Sequence, residues 1–147
     1  MLRLALYQPE IAANLGAAIR IASCFGVPLH VIEPCGFPWR HRDIGRVAMD
    51  YDASLKRHRD WECFEAEVPG RRVLLTTHAD KPVDAVAFED GDIILLGQES
   101  AGVPEHVHDR ADERVRIPLA PSARSLNVSV AGAIALAEAS RQLGLFR

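Results

Sequence analysis

The chain has 147 residues, a formal net charge of −3, 48% hydrophobic and 25% charged residues. That much apolar material excludes a disordered chain, and the mild acidity excludes a basic nucleic-acid coat protein, although a local basic patch can still bind phosphate. Three cysteines, Cys24, Cys35 and Cys63, form no C-x-x-C and no even set, so neither a disulfide framework nor a zinc knuckle is indicated.

The first residues meet Pro9 and Glu10 too soon for a signal peptide. No apolar run approaches the ~20 residues a bilayer needs. The expectation is a soluble, cytoplasmic protein of one domain, residues 1–147.

In chain order, Leu2 to Tyr7 reads as a buried strand. Asn14 to Phe25 has helical spacing, with Asn14 placed to cap it and Gly26-Val27-Pro28 to end it. Leu29 to Ile32 is a second strand, which makes a parallel βαβ unit. Trp39 to Met49 and Asp60 to Glu67 read as helices. Val73–Thr76, Ile93–Leu96 and Val115–Ile117 read as further strands, aliphatic as sheet-interior strands are. Val128 to Leu143 is the longest helix, stopped by Gly144. The fold class is α/β, with a mainly parallel sheet.

Ligands of such sheets bind beyond the carboxyl ends of strands. Three segments there are unusual. After Ile93–Leu96 comes Gly97-Gln98-Glu99-Ser100-Ala101-Gly102, whose glycines permit close backbone approach. After Ile117 come Pro118-Leu119 and then Arg124-Ser125-Leu126-Asn127-Val128-Ser129, which gather small polar side chains at a helix start. The first helix carries Asn14, Gly16 and Arg20, the glycine costing about 1 kcal/mol relative to alanine. Neither G-x-G-x-x-G nor G-x-x-x-x-G-K-[ST] occurs anywhere.

Together the segments N-x-G-x-x-x-R, G-x-E-x-x-G and I-P-L…R-S-L-N-V-S resemble the three motifs of the SPOUT methyltransferases, in that order and over essentially the whole chain. Leu6–Ile11, His30–Pro34 and Met49-Asp50-Tyr51 look closest to the subfamily that 2′-O-methylates wobble nucleotide 34 of leucine tRNAs. The resemblance implies a homodimer, a C-terminal trefoil knot, a tRNA substrate, no DNA or membrane partner, and S-adenosylmethionine as methyl donor. By matching position, Leu75, Thr76, Gly97, Glu99, Gly102, Ile117, Leu119, Ser125, Leu126 and Ser129 would hold the donor, with adenine against Leu75, Ile117 and Leu126. Arg20, Asn14, Ser125 and Asn127 would serve catalysis. Gln98 stands where close relatives often have proline.

A sulfonium methyl is already electrophilic, so the protein's tasks are alignment of the 2′-oxygen and removal of its proton. An arginine pKa above about 12 makes a neutral guanidine costly, which favours Arg20 as positioner and electrostatic stabiliser rather than base. Glu99 reads better as a pin for its own loop or for an arginine than as a base. Arg40, Arg42, Arg46 and Arg124 are candidates for phosphate contact, and Lys56 to Arg59 is a second basic stretch. A solvated charged face explains both basic stretches nearly as well. His106 and His108 lack a third ligand at suitable spacing, so no metal is expected. Two rivals are methylation of another tRNA or rRNA site on the same scaffold, and a dimeric RNA-binding module with an inactive donor site.

Overall fold

The computed structural model describes residues 1–45 and 54–146. Among the described residues, seven strands form one sheet: β1 (Arg3–Tyr7), β2 (Leu29–Ile32), β3 (Leu55–His58), β4 (Arg72–Leu75), β5 (Lys81–Pro82), β6 (Ile93–Leu96) and β7 (Glu113–Arg116). Their spatial order is β3-β2-β1-β6-β4-β7-β5, and every pairing is parallel. The chain runs outward from β1 to β3, then returns beyond β1 to build the other half. Such a reversal of direction opens a crevice at the carboxyl edge.

Successive strand residues point to opposite faces, and here both faces are apolar. Leu4, Leu6, Leu29, Val31, Val73, Ile94 and Leu96 face one layer, made by α1 (Ala12–Phe25) and α5 (Val128–Gln142), which pack on each other. Leu15, Ala18, Ile19 and Ala22 of α1 and Ala135, Leu136 and Ala139 of α5 complete that core. Gly132 lets α5 approach β6: a Cβ there would lie 2.8 Å from Leu96 Cδ1. Ala5, Tyr7, Ile32, Leu74, Ile93 and Leu95 face the other layer, where Trp61 and Phe64 of α3 (Trp61–Glu67) and Val107 of α4 (Glu105–Asp109) cover them.

Several boundaries depart from expectation. Helix α1 starts before Asn14, with Ile11 at the cap position and no side-chain cap. Asn14 is therefore a residue of the first helical turn, and its amide is used for tertiary contacts. Gly26 ends the helix in the left-handed conformation (φ 67°). Of the expected Trp39–Met49 helix, His41–Ile44 form α2, whereas Trp39 and Arg40 before it are not helical, Arg40 being extended, and Gly45 ends it at φ 110°. Arg46 and Met49-Asp50-Tyr51 lie outside the described residues. Residues 55–58, LKRH, form strand β3 where the sequence suggests only a basic stretch; the strand pairs with β2 at the sheet edge, where charged side chains are tolerated. Thr76 and Ile117 fall just past β4 and β7, at the carboxyl edge. Among the described residues, no helix is long and apolar enough to cross a membrane.

Candidate active site

The segment after β6 folds back on itself. Gln98 N–H donates to Gly102 O at 2.7 Å, and Gly102 N–H returns to Gln98 O at 3.0 Å. A proline at position 98 could not make the first of these bonds. Gly97 faces the closing residue so tightly that a Cβ would sit 2.6 Å from the Gly102 carbonyl carbon, and Gly102 itself has φ +63°. Both glycines are thus required by geometry, one for approach and one for backbone angle.

The tip of this loop is pinned to the start of α1. Glu99 Oε2 accepts the Glu10 N–H at 2.9 Å, and Glu99 Oε1 accepts Asn14 Nδ2 at 3.2 Å. With both oxygens engaged, this carboxylate acts as a pin. Asn14 also links onward: its Oδ1 accepts Asn127 Nδ2 at 2.9 Å, and its backbone carbonyl accepts Ser129 Oγ at 2.6 Å. Asn127 caps α5 through bonds from Ser129 N–H (2.9 Å) and Val130 N–H (3.2 Å). One hydrogen-bonded chain therefore ties the Gly97–Gly102 loop to the first turns of α1 and α5.

These elements wall a cavity of about 700 Å³ beyond the carboxyl ends of β4, β6 and β7. Leu75, Thr76, Gly97, Glu99, Gly102, Ile117, Leu119, Arg124, Ser125, Leu126, Asn14 and Asn127 all line it. Ser129 does not; it is 1% exposed and spent on the Asn14 carbonyl. Arg20 is exposed on α1 and is not a lining residue of its own chain's cavity. Arg40 and Arg42 also lie away from the cavity, each 3.9 Å from Asp43. Gln98, Ser100, His78 and Arg116 line the cavity in addition to the residues expected from sequence. Of these, Arg116 carries a local signal, because it precedes Ile117 at a strand end.

Charge is distributed unevenly. The second basic stretch is largely neutralised: Lys56 pairs with Glu67 at 3.3 Å, Arg57 with Glu33, and Arg59 with Asp60 at 3.4 Å. Arg57 also stacks 4.1 Å from the Trp39 ring centre. By contrast, the side chains of Arg116 and Arg124 have neither a hydrogen bond nor an ion pair among the described residues, and both border the cavity. Cys35 is half-buried, and burial raises its thiol to a pKa of about 11, which leaves it protonated and a poor nucleophile. Among the described residues, no three His, Cys, Asp or Glu side chains converge as a metal site would require.

The cavity thus offers aliphatic walls (Leu75, Ile117, Leu126), backbone polar groups of a rigid loop, and two uncommitted guanidinium groups at its border. A flat heterocycle with a sugar fits the first two, and an anion the third.

Fold and cavity define an α/β protein built to hold a small ligand at the carboxyl edge of a parallel sheet. The chain belongs to the SpoU rRNA Methylase family, whose pattern it matches over residues 1–137. It is 50% identical over 146 residues to the tRNA (cytidine(34)-2'-O)-methyltransferase of Beijerinckia indica, covering 96% of this chain and 91% of that protein. A solved structure concerned with 2-OH methylation of C/U34 on tRNA superimposes with a TM-score of 0.93 at 37% identity, covering 99% of this chain and 98% of the other. The SpoU methyltransferase AviRb from Streptomyces viridochromogenes, solved in complex with AdoMet, has a TM-score of 0.84 at 25% identity, covering 99% of this chain and 61% of the other.

Proposed function

We propose that this chain transfers a methyl group from S-adenosylmethionine to the ribose 2′-oxygen of wobble nucleotide 34 in tRNA, leucine tRNAs being the expected substrates. The observation that carries this reading is the hydrogen-bonded chain that joins the Gly97–Gly102 loop, Asn14 and Asn127 around one cavity. The donor fits there on structural grounds: Gly97 lets the loop close against Gly102, which holds the cavity-lining backbone in one shape, and an aliphatic wall stands beside it.

The donor supplies an electrophilic methyl on a sulfonium. Leu75, Ile117 and Leu126 would pack against its adenine, and backbone groups of Gly97 to Gly102 would bond its polar edges. Glu99 commits both oxygens to the Glu10 N–H and the Asn14 amide and so serves to hold the loop. Arg116 and Arg124 would hold phosphates of the target strand, as guanidinium groups do.

The reading includes a homodimer, in which Arg20 positions the ribose in the partner's cavity. Its support is an apolar surface on α5, where Val130 and Ile134, one turn apart, are 48% and 37% exposed. Ala13, Ala17, Arg20 and Cys24 form the exposed stripe of α1. A C-terminal trefoil knot, a single domain over 1–147 and a cytoplasmic location belong to the same reading.

The decisive experiment incubates the protein with labelled donor and total tRNA, then maps the methylated nucleoside by mass spectrometry. A 2′-O-methyl group at position 34 is the expected result. A methyl group at another nucleotide or on a base, or none, overturns the assignment.

A further inference from the structure

Glu10 does not line the cavity, yet it meets the donor loop from both directions. Its carboxylate accepts the Ser100 N–H at 2.9 Å and the Ser100 hydroxyl at 2.7 Å and 2.9 Å. Its own N–H donates to Glu99 at 2.9 Å. Two neighbouring loop residues are thereby clasped by one residue that is 90 positions away in sequence from Ser100.

The backbone of Glu10 is itself held in place. Gln8 adopts the left-handed region (φ 42°), which turns the chain out of β1, and its carbonyl accepts Gln98 Nε2 at 3.2 Å. Gly36 N–H donates to Pro9 O at 2.9 Å. A Cβ at Gly36 would lie only 3.0 Å from Glu10 Cα, so the following loop closes tightly over this segment. The Ser100 bonds also hold the Glu10 carboxyl below its usual pKa, which keeps it charged and accepting at neutral pH.

We infer that Glu10 is the positioning residue of the donor loop, acting through Ser100. This inference rests on the donor site proposed above. A site that binds through backbone groups cannot adapt by changing rotamers, so its affinity depends on the loop being ordered beforehand. The Gln98–Gly102 bridge fixes the base of the loop, while Glu99 and Ser100 fix its tip. Of the two tip contacts, the Ser100 pair is the one made to a carboxylate outside the cavity, where its charge does not oppose methyl transfer.

The test compares wild-type protein with Glu10→Ala, Ser100→Ala, their double variant and Glu10→Gln. Calorimetry with S-adenosylhomocysteine gives Kd, steady-state methylation gives donor KM and kcat, and thermal melting reports folding. Each alanine variant is expected to raise donor Kd and KM by about fivefold or more, with kcat at saturating donor within about twofold. The double variant should be no worse than the poorer single one, because both remove the same contact. Glu10→Gln should recover part of the affinity, since its amide oxygen still accepts from Ser100. Should Glu10→Ala fail to fold, Ser100→Ala and Glu10→Gln carry the same comparison. Unchanged donor Kd, or single effects that add in the double variant, overturns the inference alone. Wild-type protein that binds no S-adenosylhomocysteine overturns the proposed function and this inference together.

Discussion

Asn127, the cap of α5, donates its amide to Asn14 Oδ1 at 2.9 Å across 113 residues of chain. Asn14 in turn donates to Glu99 at 3.2 Å. The middle amide thus uses its oxygen toward one helix start and its nitrogen toward the loop after β6, so its orientation is set by both neighbours. Asn14→Ala should detach both, and a drop of about tenfold in donor affinity is expected from the loosened loop. Asn127→Ala should also remove a cap worth about 1 kcal/mol, lowering the melting temperature further. Calorimetry and melting on both variants check this; wild-type donor affinity in Asn14→Ala would contradict it.

Two glycines near the same strand should respond differently to alanine. At Gly97 the new Cβ meets Gly102 backbone atoms at 2.6, 2.8 and 2.9 Å, and neither side can yield without opening the bridge. A cost of about 1–3 kcal/mol and loss of donor binding are expected for Gly97→Ala. At Gly132 the contact at 2.8 Å is the methyl end of Leu96, a flexible side chain, and helix propensity returns about 1 kcal/mol. Gly132→Ala should therefore be near neutral in melting and donor binding. Equal damage at both positions would show that proximity alone, rather than the rigidity of what is met, decides the outcome.

How much of this is legible in the chain depends on sequence distance. Strand β6 announces itself as a continuous aliphatic run, and β1 and β2 as largely apolar ones interrupted by Arg3 and His30, because a parallel sheet covered on both faces favours apolar residues along its strands. Strand β3 does not, since Lys56 and Arg57 at a sheet edge look like any solvated basic stretch. Gly97 and Gly102 stand out as backbone-specific residues within one short window. Asn14 is polar at a helix start, where capping is the commonest local use; its actual partners, Glu99 and Asn127, are 85 and 113 residues away. The Glu10–Ser100 clasp has no local signature for the same reason. Local pattern carries the elements, whereas the site consists of contacts between their ends.

A buried histidine pair sets a pH dependence apart from the cavity. His30 Nδ1 lies 2.9 Å from His58 Nε2, with both rings against Phe64. His58 Nδ1 is 3.3 Å from Glu67 but without hydrogen-bond geometry. A proton on His58 Nδ1, facing Glu67, leaves Nε2 to accept from His30. Burial, then the neighbouring His58, lowers the His30 pKa from 6.5 to about 4. The unfolded chain takes up this proton near 6.5 and the folded chain only near 4, so stability is full above that range and falls as pH drops through it. Melting temperature should decline between about pH 6.5 and 5, before the lowered carboxylates begin to titrate. His30→Phe, which keeps a ring against Phe64, should flatten that decline; an unchanged slope would remove the pair from the explanation.

The cationic border of the cavity gives the last prediction. Arg116 and Arg124 stand out because other arginines are committed: Arg71 to Asp92 at 2.7 Å, Arg110 to Glu65 at 2.7 Å, Arg141 to Glu138 at 2.8 Å. A guanidinium group beside a cavity without an acidic partner is available to a ligand's anion, and two anions compete for it: a target-strand phosphate and the carboxylate of the donor's methionine moiety. Phosphate binding releases counterions and so depends on salt; removing one arginine that holds a phosphate should reduce the slope of log affinity against log salt by about 1. Arg116→Ala and Arg124→Ala are therefore expected to weaken tRNA binding and flatten its salt dependence, while S-adenosylhomocysteine Kd stays within about twofold. Titrations of tRNA at several salt concentrations, beside calorimetry with the product, separate the two anions. A large drop in S-adenosylhomocysteine affinity with an unchanged tRNA salt slope would assign these arginines to the donor and refute the phosphate role.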